Sequence, residues 1–192
     1  MATYFAFLRG VNVGGVVLKM EDLRKLLEYI GFTKVRTYIQ SGNAIFENGE
    51  SNKRRMEAEI AQEVKAVVGR DIGVIVLSRE ELSAIVASHP LASLGPEDKL
   101  YVTLLSHEPK AEDRDNLLGT MNDVDRHEMG PRVVYSHYGE GYGNSKRSNN
   151  FIEKMLKVTA TTRNWTTMTK LYELGMPDSR KLVAASPESP IS

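Results

Sequence analysis

Four stretches of this chain combine residue types suited to one chemistry, the capture of an anion. They are Arg9-Gly10-Val11-Asn12-Val13-Gly14-Gly15, Gln40-Ser41-Gly42-Asn43, the run from Gly139 to Asn150 with Lys146 and Arg147, and Thr159 to Thr167 around Arg163-Asn164-Trp165. Guanidinium and carboxamide groups donate hydrogen bonds to oxyanions, and glycines let backbone amides approach them closely. Arg9, Asn12, Gly14, Gly15, Gln40, Ser41, Asn43, Lys146, Arg163 and Asn164 are therefore the candidate ligand-binding residues. None of the four stretches carries a catalytic signature, and no catalytic residue is assigned.

Each stretch also has a plain structural reading. The first loop is neither a P-loop, which ends in Gly-Lys-Ser/Thr, nor a dinucleotide fingerprint, whose glycines stand two and five apart. Gly14 and Gly15 there can serve only to supply positive φ, and Ser41-Gly42-Asn43 can be a hairpin turn and nothing more. The glycine-rich run can be a solvated connection, although Tyr142 offers a ring for stacking beside Lys146 and Arg147. Arg163 carries the sharpest argument, since a cation just ahead of a helix opposing its dipole calls for a nearby anion. If that anion is a ligand, Arg163→Ala is expected to cost under about 1 kcal/mol of stability.

These stretches need elements to hold them. Thr3 to Arg9 reads as a strand, and Met20, Leu23, Leu27 and Ile30 keep helical spacing up to Gly31. Lys34 to Gln40 and Ala44 to Phe46 flank a turn as a hairpin. A helix follows Ser51 or Asn52 with Met56, Ile60, Val64 and Val67 on one face, then a strand from Gly73 to Leu77. Ser78-Arg79-Glu80-Glu81 opens a connecting helix as a capping box, and Leu91 to Asp98 reads as a linker. The second half gives a strand at Lys99 to Leu105 and a helix at Lys110 to Leu118. A hairpin follows around Gly130-Pro131, then helices at Phe151 to Val158 and Asn164 to Leu174, the last closed by Gly175 and Pro177. The expected fold is α+β, a tandem duplication of two ferredoxin-like βαββαβ subdomains with antiparallel sheets. Residues 1–78 form the first, 79–98 the connecting helix and linker, 99–181 the second, and 182–192 a loose tail.

The 192 residues are 41% hydrophobic and 26% charged with zero formal net charge, a globular composition lacking the basic excess of proteins that coat nucleic acid. The charge is uneven, with a basic excess from Glu140 to Lys181 and an acidic one from Arg79 to Glu128. Cysteine is absent, so disulfides, thiolate metal sites and cysteine nucleophiles are excluded. His89, His107, His127 and His137 stand apart from one another, and no metal or other cofactor is assigned. A start without a basic leader and the lack of a spanning apolar run lead to the expectation of a cytoplasmic protein with no membrane partner.

Leu8-Arg9-Gly10-Val11-Asn12-Val13-Gly14-Gly15, Thr37-Tyr38-Ile39-Gln40-Ser41-Gly42-Asn43 and Ala160-Thr161-Thr162-Arg163-Asn164-Trp165-Thr166-Thr167 together resemble the bacterial family known as domain of unknown function 1697. The resemblance runs over nearly the whole chain and implies a duplicated α+β fold of two similar subdomains. It implies no activity. Val16 stands where the family's glycine loop usually continues with a basic residue, and Lys19 is the substitute at hand. Three functions stay open: a non-catalytic protein binding an anionic, phosphate-bearing ligand, nucleic acid included, which is the preferred reading; an enzyme acting on a small phosphorylated or carboxylated metabolite between the subdomains; or a purely structural interaction protein.

Overall fold

The computed structural model describes residues 1–176. Within them the chain runs β1 (Ala2–Leu8), α1 (Met20–Tyr29), β2 (Thr33–Tyr38), β3 (Asn43–Asn48), α2 (Lys53–Val68), β4 (Val74–Ser78) and α3 (Arg79–Val86). After two short 3-10 turns come β5 (Leu100–Leu105), α4 (Ala111–Leu118), β6 (Asp125–Met129), β7 (Val133–Tyr138), α5 (Asn149–Leu156), β8 (Ala160–Asn164) and α6 (Trp165–Gly175). Pro177, the stretch to Lys181 and the tail at 182–192 lie outside the described residues.

Local chemistry sets the boundaries. The Asn52 side chain accepts from the Arg55 amide at 3.2 Å and starts α2, which Gly69 ends at φ 74°. Both bonds of the capping box at α3 are made, from the Glu81 amide to Ser78 Oγ at 3.3 Å and from the Ser78 amide to Glu81 Oε2 at 2.8 Å.

The strands form two four-stranded sheets, ordered β2-β3-β1-β4 and β6-β7-β5-β8, with every pairing antiparallel. Period-two alternation gives each sheet two apolar faces. On the first sheet Tyr4, Ala6, Leu8 and Phe46 pack on Leu23 and Leu27 of α1 and on Met56, Ile60 and Val64 of α2. Its other face, with Phe5, Phe7, Ile45 and Ile75, shares a core with Val102, Leu104 and Val133 of the second sheet and with Trp165, Met168 and Leu171 of α6. The outer face of the second sheet, through Val134 and Ala160, covers Ile152 and Leu156 of α5 and Leu117 of α4. Each fully buried Leu or Phe contributes about 1.5–3 kcal/mol, so the shared core ties the two halves together. Among the described residues, no helix is long and apolar enough to cross a membrane.

One element differs from the sequence reading. No strand was expected between the last two helices, yet Ala160–Asn164 is the edge strand β8, paired with β5 through Thr103↔Thr162 and Val102↔Arg163. Arg163 is thus a strand residue, and Asn164 is the cap of α6, accepting from the Thr167 amide at 2.8 Å.

Candidate functional site

Where β1 ends, the chain must turn out of the sheet, and the loop it enters is tightly built. Asn12 sits at φ 57° and its side chain makes three bonds, giving Nδ2–H to Leu18 O at 2.8 Å and Gln40 O at 2.7 Å while Oδ1 accepts from the Leu18 amide at 2.9 Å. This joins the first loop to the β2–β3 turn as one unit. Gly42 completes that turn at φ 75°, where a Cβ would strike the Val11 side chain and lie 2.9 Å from Leu8 Cβ. Only glycine fits there, for conformation and for space.

Arg163 reaches across from β8 into this unit. It is 8% exposed, and all five of its N–H groups are taken. Nε donates to Asn43 Oδ1 at 2.6 Å, Nη1 to Thr161 Oγ1 at 2.7 Å and Thr162 O at 2.9 Å, and Nη2 to Leu8 O and Ser41 O at 2.8 Å each. Three of those acceptors belong to the other half of the molecule. Every one is neutral. Burial pushes the guanidinium down to about 10, opposed by Tyr142, and it remains a cation at neutral pH.

Arg163 thus stands just ahead of α6, as expected, but as the penultimate residue of β8, and its N–H groups are met by a cage of neutral carbonyl and side-chain oxygens that leaves none of them for direct contact with a ligand. Arg163→Ala is therefore expected to cost more than about 1 kcal/mol, because truncation takes the donors from Asn43 Oδ1 and Ser41 O.

Beside this cage lies an open cleft of about 340 Å³ between the halves, walled by Arg9, Gly10, Val11, Val13 and Ser41 from one side and Tyr142, Asn149, Asn150, Thr161 and Thr162 from the other. Arg9 is held across it by Glu153 of α5, with Nε 2.7 Å from Oε1 and Nη2 2.6 Å from Oε2, and Nη2 also donates to Asn150 Oδ1 at 2.9 Å. The hydrogen bond to Glu153 raises the Arg9 pKa against the opposing effect of burial. Glu153 Oε1 also takes the Ala160 amide at 2.8 Å, so this carboxylate is committed twice.

Several donors at the wall remain for a ligand. Among the described residues, Arg9 Nη1, Asn150 Nδ2 and the amides of Gly10 and Val11 donate to no protein acceptor. Ser41 Oγ accepts from Asn43 Nδ2 at 2.9 Å and keeps its own hydrogen. Adjacent unpaired amides in a turn with Gly10 at φ 70° are the kind of concavity that holds oxyanions.

Of the residues singled out from sequence, Arg9, Ser41 and Arg163 line the cleft, while Asn12, Gln40 and Asn43 build the scaffold behind it. Gly14 and Gly15 lie in the same loop away from the wall, at φ 57° and 82°. Asn164 caps its helix. Lys146 lines a separate concavity of about 170 Å³ with Arg147, Asp125 and Ser145. Asn149, Asn150, Thr161 and Thr162 also line the cleft; they fall within the stretches Gly139 to Asn150 and Thr159 to Thr167 singled out from sequence, although not among the individual candidates.

A second buried polar group stands apart from the cleft. His127, 1% exposed on β6, shares a hydrogen bond between Nδ1 and Ser136 Oγ at 2.9 Å, and its Nε2 has no partner among the described residues. Burial pushes it down to about 4, with Asp125 opposing and Arg147 assisting. Ser136 is fully buried as well, so the pair is closed to a substrate.

The fold and this cleft place the chain among paired-sheet α+β proteins. It belongs to the family described as protein of unknown function DUF1697, whose model matches residues 1–135. It is similar in structure to a conserved bacterial protein from Streptococcus pneumoniae, with a TM-score of 0.67 and 22% identity over 91% of this chain and 98% of that one. That likeness is one of fold. No curated protein matches the chain.

Proposed function

We propose that this chain is a binding protein for a small phosphate-bearing anion seated in the cleft between its halves. The observation that carries the reading is a buried guanidinium, Arg163, whose hydrogen-bond partners are all neutral, at the wall of a cleft with unpaired donors. With its N–H groups spent, Arg163 acts through its field. At an effective dielectric of about 20, an anion about 6 Å away gains roughly 3 kcal/mol from it before its own desolvation is counted. Direct bonds fall to Arg9 Nη1, Ser41 Oγ, Asn150 Nδ2 and the Gly10 and Val11 amides.

The cleft volume suits a small molecule. A nucleic-acid polymer needs a cationic track, and Lys146 lies in a different concavity. Binding is preferred to catalysis because the carboxylate at the cleft, Glu153, is committed to Arg9 and the Ala160 amide. The identical element and strand order of the halves supports the reading of a ferredoxin-like duplication, with units at 1–78 and from 99 onward joined by 79–98. The cysteine-free composition fits a cytoplasmic setting.

Isothermal titration with inorganic phosphate and pyrophosphate tests this. Arg9→Gln is expected to weaken binding about tenfold, the loss of one charge-assisted contact, while Lys146→Gln in the other concavity leaves affinity unchanged. Equal effects of the two variants, or an effect of Lys146→Gln alone, would overturn the assignment.

A further inference from the structure

Resting on that reading, we infer that the ligand is a phosphomonoester of a planar, apolar ring, with its phosphate at the Arg9–Ser41–Asn150 donors and its ring against Val13 and Tyr142. Size is the first argument. At about 30 Å³ per molecule, a cleft of about 340 Å³ corresponds to roughly eleven waters, several times the volume of a phosphate group. An inorganic anion would leave most of it empty.

The chemistry of the wall is the second. The unpaired donors gather on Arg9, Gly10, Ser41 and Asn150, while Val13 and Tyr142 bring hydrocarbon and an aromatic ring to the same lining. Val13 is 61% exposed, yet it does not sit on a floppy tip, because Asn12 beside it is fixed by three side-chain hydrogen bonds. The adjoining turn is similarly constrained, with Ile39, a β-branched residue, held at φ 49° two positions before Ser41.

Tyr142 is fixed as well. Its ring stacks on Tyr101 at 4.9 Å and 20°, meets Tyr138 edge-on at 5.2 Å, and its hydroxyl accepts the Asn149 amide at 3.0 Å. A ring held in three directions is a preorganised surface and loses little freedom when a second ring packs on it. Hydrogen-bond donors and rigid apolar groups lining one cleft define an amphiphilic, flat ligand.

The test compares inorganic phosphate, methyl phosphate, phenyl phosphate and a nucleoside monophosphate by titration calorimetry on the wild-type chain and on Val13→Ser, an exposed substitution that leaves the fold intact. Phenyl phosphate and the nucleotide are expected to bind at least about tenfold more tightly than inorganic or methyl phosphate, and Val13→Ser to reduce that advantage several-fold while leaving inorganic phosphate unchanged. Equal affinity for phenyl and inorganic phosphate would overturn the ring assignment and leave the anion site standing. An undiminished advantage in Val13→Ser would overturn the proposed wall. Binding of none of the four would remove the anion site itself.

Discussion

Replacing Arg163 by methionine is expected to destabilise the protein by about 3–5 kcal/mol, although the substitution removes a buried charge that is costly to hold. Methionine keeps most of the aliphatic volume that packs over Phe7, where the guanidinium carbon lies 5.9 Å from the ring centroid. It supplies none of the five donors. Ser41 O and Asn43 Oδ1 then lose their partner at the seam, Leu8 O keeps only the Thr161 hydroxyl at 3.4 Å, and each buried acceptor left unpaired costs about 1–3 kcal/mol. Relief of guanidinium desolvation offsets part of this, which keeps the expected net below the sum. For a chain of this size the loss corresponds to a fall in Tm of roughly 10 °C. Urea unfolding of wild type and variant measures it, and a change within about 0.5 kcal/mol, typical of surface positions, would mean that the cage does not join the halves.

Stability is also expected to fall as the pH drops from about 6.5 toward 4, because of His127. Its folded value of about 4 lies below the ordinary 6.5, so between those values the unfolded chain takes up a proton that the folded one refuses. The stability this contributes is fully present above 6.5 and is lost as pH falls through the folded value. At 1.36 kcal/mol per unit the shift amounts to about 3 kcal/mol. Carboxylates and the similarly depressed His89, also shifted mainly by burial, add to the raw slope, so the informative quantity is the difference from His127→Gln. Denaturation midpoints at pH 7, 5.5 and 4.5 should diverge less steeply in the variant. Parallel pH profiles would show that His127 does not titrate across this interval.

Much of the fold could be read from the sequence because it rests on regular patterns. Leu23 and Leu27, and Met56, Ile60 and Val64, keep one face at helical spacing, and that face is the one buried. Ser78 and Glu81 form a local device that needs no knowledge of the rest of the chain. β8 was illegible for a physical reason. Its positions facing the seam are Thr161 and Arg163, polar residues that face an oxygen cage where an ordinary strand would present Val or Ile. A buried arginine therefore read as a helix-start cation.

The cleft's lining was legible in part as residue types but not as geometry. Arg9 and Ser41 line the cleft, yet Lys146, of equal promise by type, lines another concavity beyond the short 3-10 turn at Tyr142–Asn144. Asn12 and Asn43 matter through what they hold in place, a role that appears only once Leu18, Gln40 and Arg163 are seen beside them.

The central claim is that an anion occupies the cleft against the Gly10 and Val11 amides, and amide chemical shifts read those groups directly. In a ¹H–¹⁵N spectrum titrated with phosphate, the resonances of Gly10 and Val11 and the side-chain amide of Asn150 are expected to move together along one saturable curve, while the Gly14, Gly15 and Lys146 amides stay in place. Shifts centred on Lys146 and Arg147, with Gly10 and Val11 unmoved at saturating phosphate, would contradict the account.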